Sequence, residues 1–138
     1  VTSTDERPLR PRPSINRDSR FWFDGVAEGK LLIQRCSGCG SLRHPPGPVC
    51  PSCHSFEWDS VEACGRGTIY SYVINHHPQF AAFDYPLPVA LIELEEGTRL
   101  MSNLTGFDLD AIEVGQAVAV EFVEYDDDLT LPAFHPAP

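Results

Sequence analysis

Cys36-Ser37-Gly38-Cys39, ten intervening residues, then Cys50-Pro51-Ser52-Cys53 is the stretch on which the fold turns. Two Cys-x-x-Cys pairs at this separation supply four thiolates from two short turns. Zn²⁺ takes four soft ligands in a tetrahedron, and each pair can chelate one edge of it. Gly38 and Gly40 allow the backbone geometry of a tight knuckle, and Pro51 fixes the second turn. With Cys36, Cys39, Cys50 and Cys53 all ligating, no position is left open for water, which points to a structural ion rather than a catalytic one. Two alternatives use the same residues. Iron in a four-thiolate site would serve electron transfer. Disulfides would need an oxidising compartment, and no signal-like apolar stretch opens the sequence.

Working outward, 138 residues make one domain or one domain with a small appendage. The 42% apolar content suffices for one modest core, and thirteen prolines with ten glycines suit short strands and turns. No run approaches the ~18 apolar residues of a membrane span. Four of the five cysteines stand in metal spacing, so the expected compartment is cytoplasmic. The start at Val1 reads as that of a domain cut from a longer polypeptide or of an altered start.

The net charge of −10 is unevenly placed. Residues 1–43 hold eight Lys/Arg against five acids, a net +3, whereas residues 44–138 hold two against fifteen, a net −13. The acidic body repels a phosphate backbone, which argues against nucleic-acid binding.

The chain then divides into four parts. Residues 1–13 are polar and Pro-rich and read as a flexible leader, or as an arm that orders along a partner. Residues 14–32 hold a short helix, capped by Ser14 or Asn16, with Asp18 in its first turn and Gly29 as its stop. Its aromatics Phe21, Trp22 and Phe23 are too many for one face, so either they pack on the chain's own core or one face meets another protein. Residues 33–56 are the metal ribbon, entered by a strand at Leu31–Arg35. His44 and His54 flank the ligands and read as exposed or supporting residues. Residues 57–138 carry strand-like runs at 58–63, 68–74, 89–94, 98–104, 116–125 and from Leu129. Asp108 caps a helical turn before the 116–125 strand, Asp126-Asp127-Asp128 is a solvated acidic turn, and Ala133–Pro138 is a tail. Cys64 reads as a small buried residue. The loop 75–88 is long, Pro-rich and partly apolar, which marks it as functional. His76 and His77 sit in it, but adjacent side chains on an extended backbone face opposite ways, so a shared ion or a catalytic pair is not expected. The fold class is therefore mainly β: an N-terminal helix and zinc ribbon followed by a five-stranded Greek-key barrel of the OB type.

Several pieces, in order, carry a family likeness: Phe21-Trp22 through Gly29-Lys30-Leu31, Gln34-Arg35-Cys36-x-x-Cys39-Gly40, Arg43-His44-Pro45-Pro46, Cys50-Pro51-x-Cys53, Gly65-Arg66-Gly67-Thr68-Ile69-Tyr70-Ser71-Tyr72 and Leu131-Pro132-x-Phe134. From about Ser19 to Pro136 the chain resembles the bacterial and archaeal acyl-CoA-associated proteins in which a rubredoxin-like zinc ribbon precedes an OB-fold. The resemblance implies structural zinc and a heteromeric complex with a thiolase-fold enzyme acting on acyl-CoA. More narrowly, it implies the domain at the end of an acyl-CoA hydratase chain. Such a domain partners a lipid-transfer-protein-like aldolase in steroid side-chain degradation.

No Ser/His/Asp or Cys/His arrangement is legible, so no catalytic residue is assigned, and enzymatic activity is expected only from a complex with aldolase (carbon–carbon lyase) or acyltransferase chemistry. The expected contact surfaces are the Phe21/Trp22 helix, the His76–Pro88 loop and the tail near Phe134. Two other functions stay open: a CoA- or acyl-binding module that channels intermediates between enzymes, and an OB-fold that binds single-stranded nucleic acid.

Overall fold

Arg20–Ala27 (α1) is the one α-helix among residues 7–138, which the computed structural model describes. Asn16 prepares its start: the Asn16 side-chain oxygen accepts from the backbone N–H of Asp18 and Ser19 at 2.9 and 3.0 Å, and Ser19 occupies the cap position. Phe21, Trp22 and Phe23 are all half-buried. The helix packs on strands of both modules described below, and so joins them.

The first module is a three-stranded antiparallel sheet of β1 (Leu32–Cys36), β2 (Leu42–Arg43) and β3 (Trp58–Glu62), with β1 in the centre. Leu32 lies opposite Glu62 and Cys36 opposite Trp58. Here the structure departs from the expected boundary at residue 57. Trp58–Glu62 is not a barrel strand; it satisfies the second edge of β1, whose first edge meets only the two residues of β2. Leu31, Ile33 and Ala63 then carry this sheet into the same apolar core as the barrel.

The barrel comprises β4 (Arg66–Asn75), β5 (Leu87–Leu94), β6 (Arg99–Leu104), β7 (Ala117–Asp126) and β8 (Leu129–Pro136), closed in the order β4-β5-β6-β8-β7. A 3₁₀ turn, Leu109–Ala111, precedes the fourth barrel strand and is capped by the Asp108 carboxylate. This is the OB-type arrangement that the strand pattern predicts. Two short contacts seal it: β6 runs parallel to β8 at Asn103–Ala133 and Leu104–Phe134, and β4 meets β7 over Arg66–Thr68. At the second seam a Cβ on Gly67 would strike the carbonyl of Glu93, so only glycine lets β4 and β5 approach there.

The expected tail at Ala133–Pro138 is instead mostly strand, since β8 runs to Pro136. Ala133 and Phe134 are the residues of β8 paired on both edges; Pro132 and Pro136 pair with β7 alone, where a missing N–H is tolerated. Phe134 is 0% exposed, which removes it from the candidate contact surfaces. The expected leader, residues 1–13, lies partly outside the described residues. Its described portion, residues 7–13, runs along the barrel loops. No helix of the described residues is long and apolar enough to cross a membrane.

Candidate functional site

Two knuckles of the same construction bring the four predicted ligands together. In the first, Cys36 ends β1 and its carbonyl accepts from Gly40 N–H at 2.9 Å; in the second, the Cys50 carbonyl accepts from His54 N–H at 2.9 Å. The residue after each second cysteine takes a left-handed conformation, Gly40 with φ of 79° and His54 with φ of 63°. Glycine adopts it freely, whereas His54 occupies it at a steric cost. His54 is exposed, one of the two readings its position allows, and what it contributes to the knuckle is its backbone conformation.

The four sulfurs lie within 4.8 Å of one another, with Cys36–Cys53 at 3.4 Å and Cys39–Cys50 at 3.6 Å. Zn–S bonds of ~2.3 Å place tetrahedral sulfurs about 3.8 Å apart, so the set fits zinc. All five cysteines are free thiols, and no disulfide joins the knuckles. Backbone N–H groups aim at the sulfurs, among them Gly38 N–H to Cys36 Sγ at 3.3 Å. The N–H of Cys53 leads in drawing the Cys50 thiol down to about 6, and that of Cys39 leads in lowering Cys36. For Cys53 the Ser55 N–H acts the same way, but the Cys36 sulfur, desolvation and then the Cys39 and Cys50 sulfurs outweigh it and push the thiol pKa up to about 11. The last proton is thus held by the charge already gathered, and a dication in the centre removes that obstacle. The centre is a structural zinc ribbon with all four positions taken by protein.

A buried amide braces it. Gln34, on β1 two residues before Cys36, is 0% exposed and exchanges two hydrogen bonds with the backbone of Gly47 in the loop between the knuckles. Gln34 stands among the residues that carry the family likeness, but its bracing role was not read from the sequence; a polar side chain in an apolar strand was the physical signal of it. His44 is half-buried, with its ring 5.8 Å from that of Trp22, and burial holds its pKa below the ordinary value. Phe21 packs against Trp58 with ring centroids 4.9 Å apart. Phe21 and Trp22 therefore face the chain's own ribbon, while Phe23 lies beside Asp128 and Leu129 at the β7–β8 turn.

His76 and His77 are exposed at the start of the β4–β5 loop. Among the described residues the cluster able to hold a metal is the four-cysteine set, which does not include them. Cys64 is exposed rather than buried, because it sits in the link between the two modules; its thiol donates to Glu95 at 3.2 Å. Further along the same loop, Phe80 is 61% exposed.

Residues 23–59 match the family described as ChsH2, rubredoxin-like zinc ribbon domain, and residues 60–123 match ChsH2, C-terminal OB-fold domain. A probable enoyl-CoA hydratase alpha subunit of Thermomonospora curvata is 55% identical over 97% of this chain and 43% of its own length. The 3-oxo-4,17-pregnadiene-20-carboxyl-CoA hydratase alpha subunit of Mycobacterium tuberculosis is 40% identical over 84% of this chain and 37% of its own. The chain thus spans less than half the length of both curated relatives. Among solved structures, a chain of an Ltp2-ChsH2(DUF35) aldolase superposes with a TM-score of 0.88 at 55% identity, covering 91% of this chain and 98% of that one.

Proposed function

The chain belongs to the ChsH2 family, a rubredoxin-like zinc ribbon joined to an OB-fold, and on that footing we propose that it is a non-catalytic accessory subunit of a thiolase-fold acyl-CoA enzyme. The reaction proposed for the complex is retro-aldol cleavage of a steroid side-chain acyl-CoA. The observation that carries this reading is the match, over nearly the whole of its length, to a chain of an Ltp2-ChsH2(DUF35) aldolase. The steroid part rests on the substrate in the name of the Mycobacterium tuberculosis relative.

Retro-aldol cleavage of a β-hydroxyacyl thioester needs a base for the hydroxyl proton and a group that stabilises the thioester enolate. In this reading both belong to the partner. Cys36, Cys39, Cys50 and Cys53 hold zinc, which supplies rigidity and no open coordination site. Gln34 ties the inter-knuckle loop to β1, Phe21 ties α1 to the ribbon at Trp58, and α1 also packs on β8 of the barrel. The product is a stiff, acidic surface that shapes and orders the partner's site.

The test is co-expression of this chain with the thiolase-fold protein that co-purifies with it in the source cell. Cleavage of the steroid acyl-CoA by the pair, and by neither chain alone, is the expected result. A partner fully active without this chain ends the reading. Saturable CoA binding by this chain alone would instead favour the channelling module.

A further inference from the structure

OB barrels bind their ligands on the second and third strands and in the loops that follow the first and fourth strands. In this chain those are β5 and β6, the 76–86 loop and the β7–β8 turn. Residues 7–13, Arg7-Pro8-Leu9-Arg10-Pro11-Arg12-Pro13, lie against the loop end of that face, between the 76–86 loop, Asn103 of β6 and the β7–β8 turn.

Each arginine has its own receptor. Arg7 reaches the carbonyl of Ala81 at 3.1 Å and the carboxylate of Asp84 at 3.1 Å, both in the loop. The Arg10 guanidinium lies 4.6 Å from the ring centroid of Phe83 in the loop and 3.7 Å from that of Tyr125 at the end of β7. It also donates to the side-chain oxygen of Asn103 on β6 at 3.3 Å. Arg12 pairs with Asp126 at 2.9 Å, where β7 turns into β8. An open apolar cleft of about 430 Å³, lined by Pro8, Leu9, Pro11, Phe80 and Phe83 among others, runs between segment and loop.

The chemistry of the segment suits this seat. Prolines at 8, 11 and 13 favour an extended polyproline II backbone, whose three-residue turn puts Arg7 and Arg10 on one side. Such a segment loses little entropy on docking into an aromatic-lined groove. Three cations also meet a body carrying net −13 over residues 44–138. Phe83 and Tyr125, which in a nucleic-acid-binding OB-fold could stack on a base, here take a guanidinium.

We propose that the OB ligand face of this chain is a binding site for an extended arginine–proline peptide, with residues 7–13 as its built-in ligand. The segment holds the 76–86 loop and the β7–β8 turn in place, and it occupies the end of the face between them. The site is separate from the zinc centre and does not depend on the thiolase-partner reading.

The experiment uses the full zinc-loaded chain and amide hydrogen exchange. Arg10→Ala/Arg12→Ala is expected to raise exchange in residues 78–86 about tenfold, the scale of the two half-buried cation–π contacts of Arg10 together, while β1 amides stay unchanged. A synthetic peptide of residues 7–14 added to that variant restores protection saturably. The same peptide with alanine at all three arginines does not, and neither peptide acts on Tyr125→Leu, which removes the stacking ring from the receptor side. Unchanged loop exchange in the double-arginine variant overturns the proposal. So does lost protection that the peptide fails to restore, or restoration by both peptides alike.

Discussion

Gln34 and Gly47 are joined by two hydrogen bonds of 2.9 Å, the side-chain amide of Gln34 donating to the Gly47 carbonyl and accepting from its N–H. The pair works as one rung of a β-ladder built from a side chain. It fixes the loop between the knuckles to the strand that delivers Cys36. Leucine in place of Gln34 has similar bulk but leaves the Gly47 N–H without its partner, while the Gly47 carbonyl keeps only the Arg43 guanidinium at 2.9 Å. Gln34→Leu should cost about 1–3 kcal/mol in urea unfolding of the zinc-loaded chain. An unchanged midpoint would show that water serves Gly47 equally well.

Zinc removal should undo the ribbon. Small metal modules draw an apparent ~10–16 kcal/mol from the ion, as much as the ~5–15 kcal/mol that a whole domain retains as net stability. One zinc per chain is expected from elemental analysis. Cys36→Ser should lose the metal, together with amide protection across β1, β2 and β3. Retention of that protection after chelation, or iron in place of zinc, would contradict the assignment.

His44 sets a pH dependence. Burial lowers its folded pKa below the ordinary 6.5, so the unfolded chain takes up the proton first. Stability is then complete above 6.5 and declines as pH falls from 6.5 toward the folded value. Zinc affinity also falls in acid, so the comparison is between the native chain and His44→Leu at pH 7.5 and 5.5. The native chain should lose more stability over that interval, and equal losses would exclude His44 as the source.

Cys64 should be a slow thiol despite its exposure. The Arg66 N–H draws its pKa down, but desolvation, the hydrogen bond to Glu95 and the charges of Glu96 and Glu95 outweigh it and leave the pKa above 9.0. The thiolate is the reactive form. Iodoacetamide labelling of the zinc-loaded chain should therefore rise with pH through a midpoint above 9.0. Glu95→Gln should bring the midpoint down and speed labelling at pH 8. The same rate in both proteins would mean that Glu95 does not govern the thiol.

Much of this architecture was legible in the residues. The cysteine spacing gave the metal centre, because chelation by two knuckles is a local matter. Alternating apolar residues from Val118 to Phe122 gave β7, and Asp108 gave the turn before it. What escaped was decided by pairing between distant segments. Trp58–Glu62 reads as a strand of the barrel segment, and only the open edge of β1 assigns it to the ribbon sheet. Pro132 and Pro136 look like the end of structure until β8 is seen to need both edges only at Ala133 and Phe134. The Arg-Pro leader reads as linker because its partners, Asp84, Asn103 and Asp126, lie 74 or more residues away.

The parallel contact of Asn103–Leu104 with Ala133–Phe134 also sets a timetable for synthesis. The ribbon sheet has every strand it needs once Glu62 has left the ribosome. The barrel waits longer, because its seam needs Ala133 and Phe134 of β8, the last of the barrel strands to emerge. Until then β6 carries an open edge, and the nascent chain is at its most vulnerable to pairing with a neighbour on the same message.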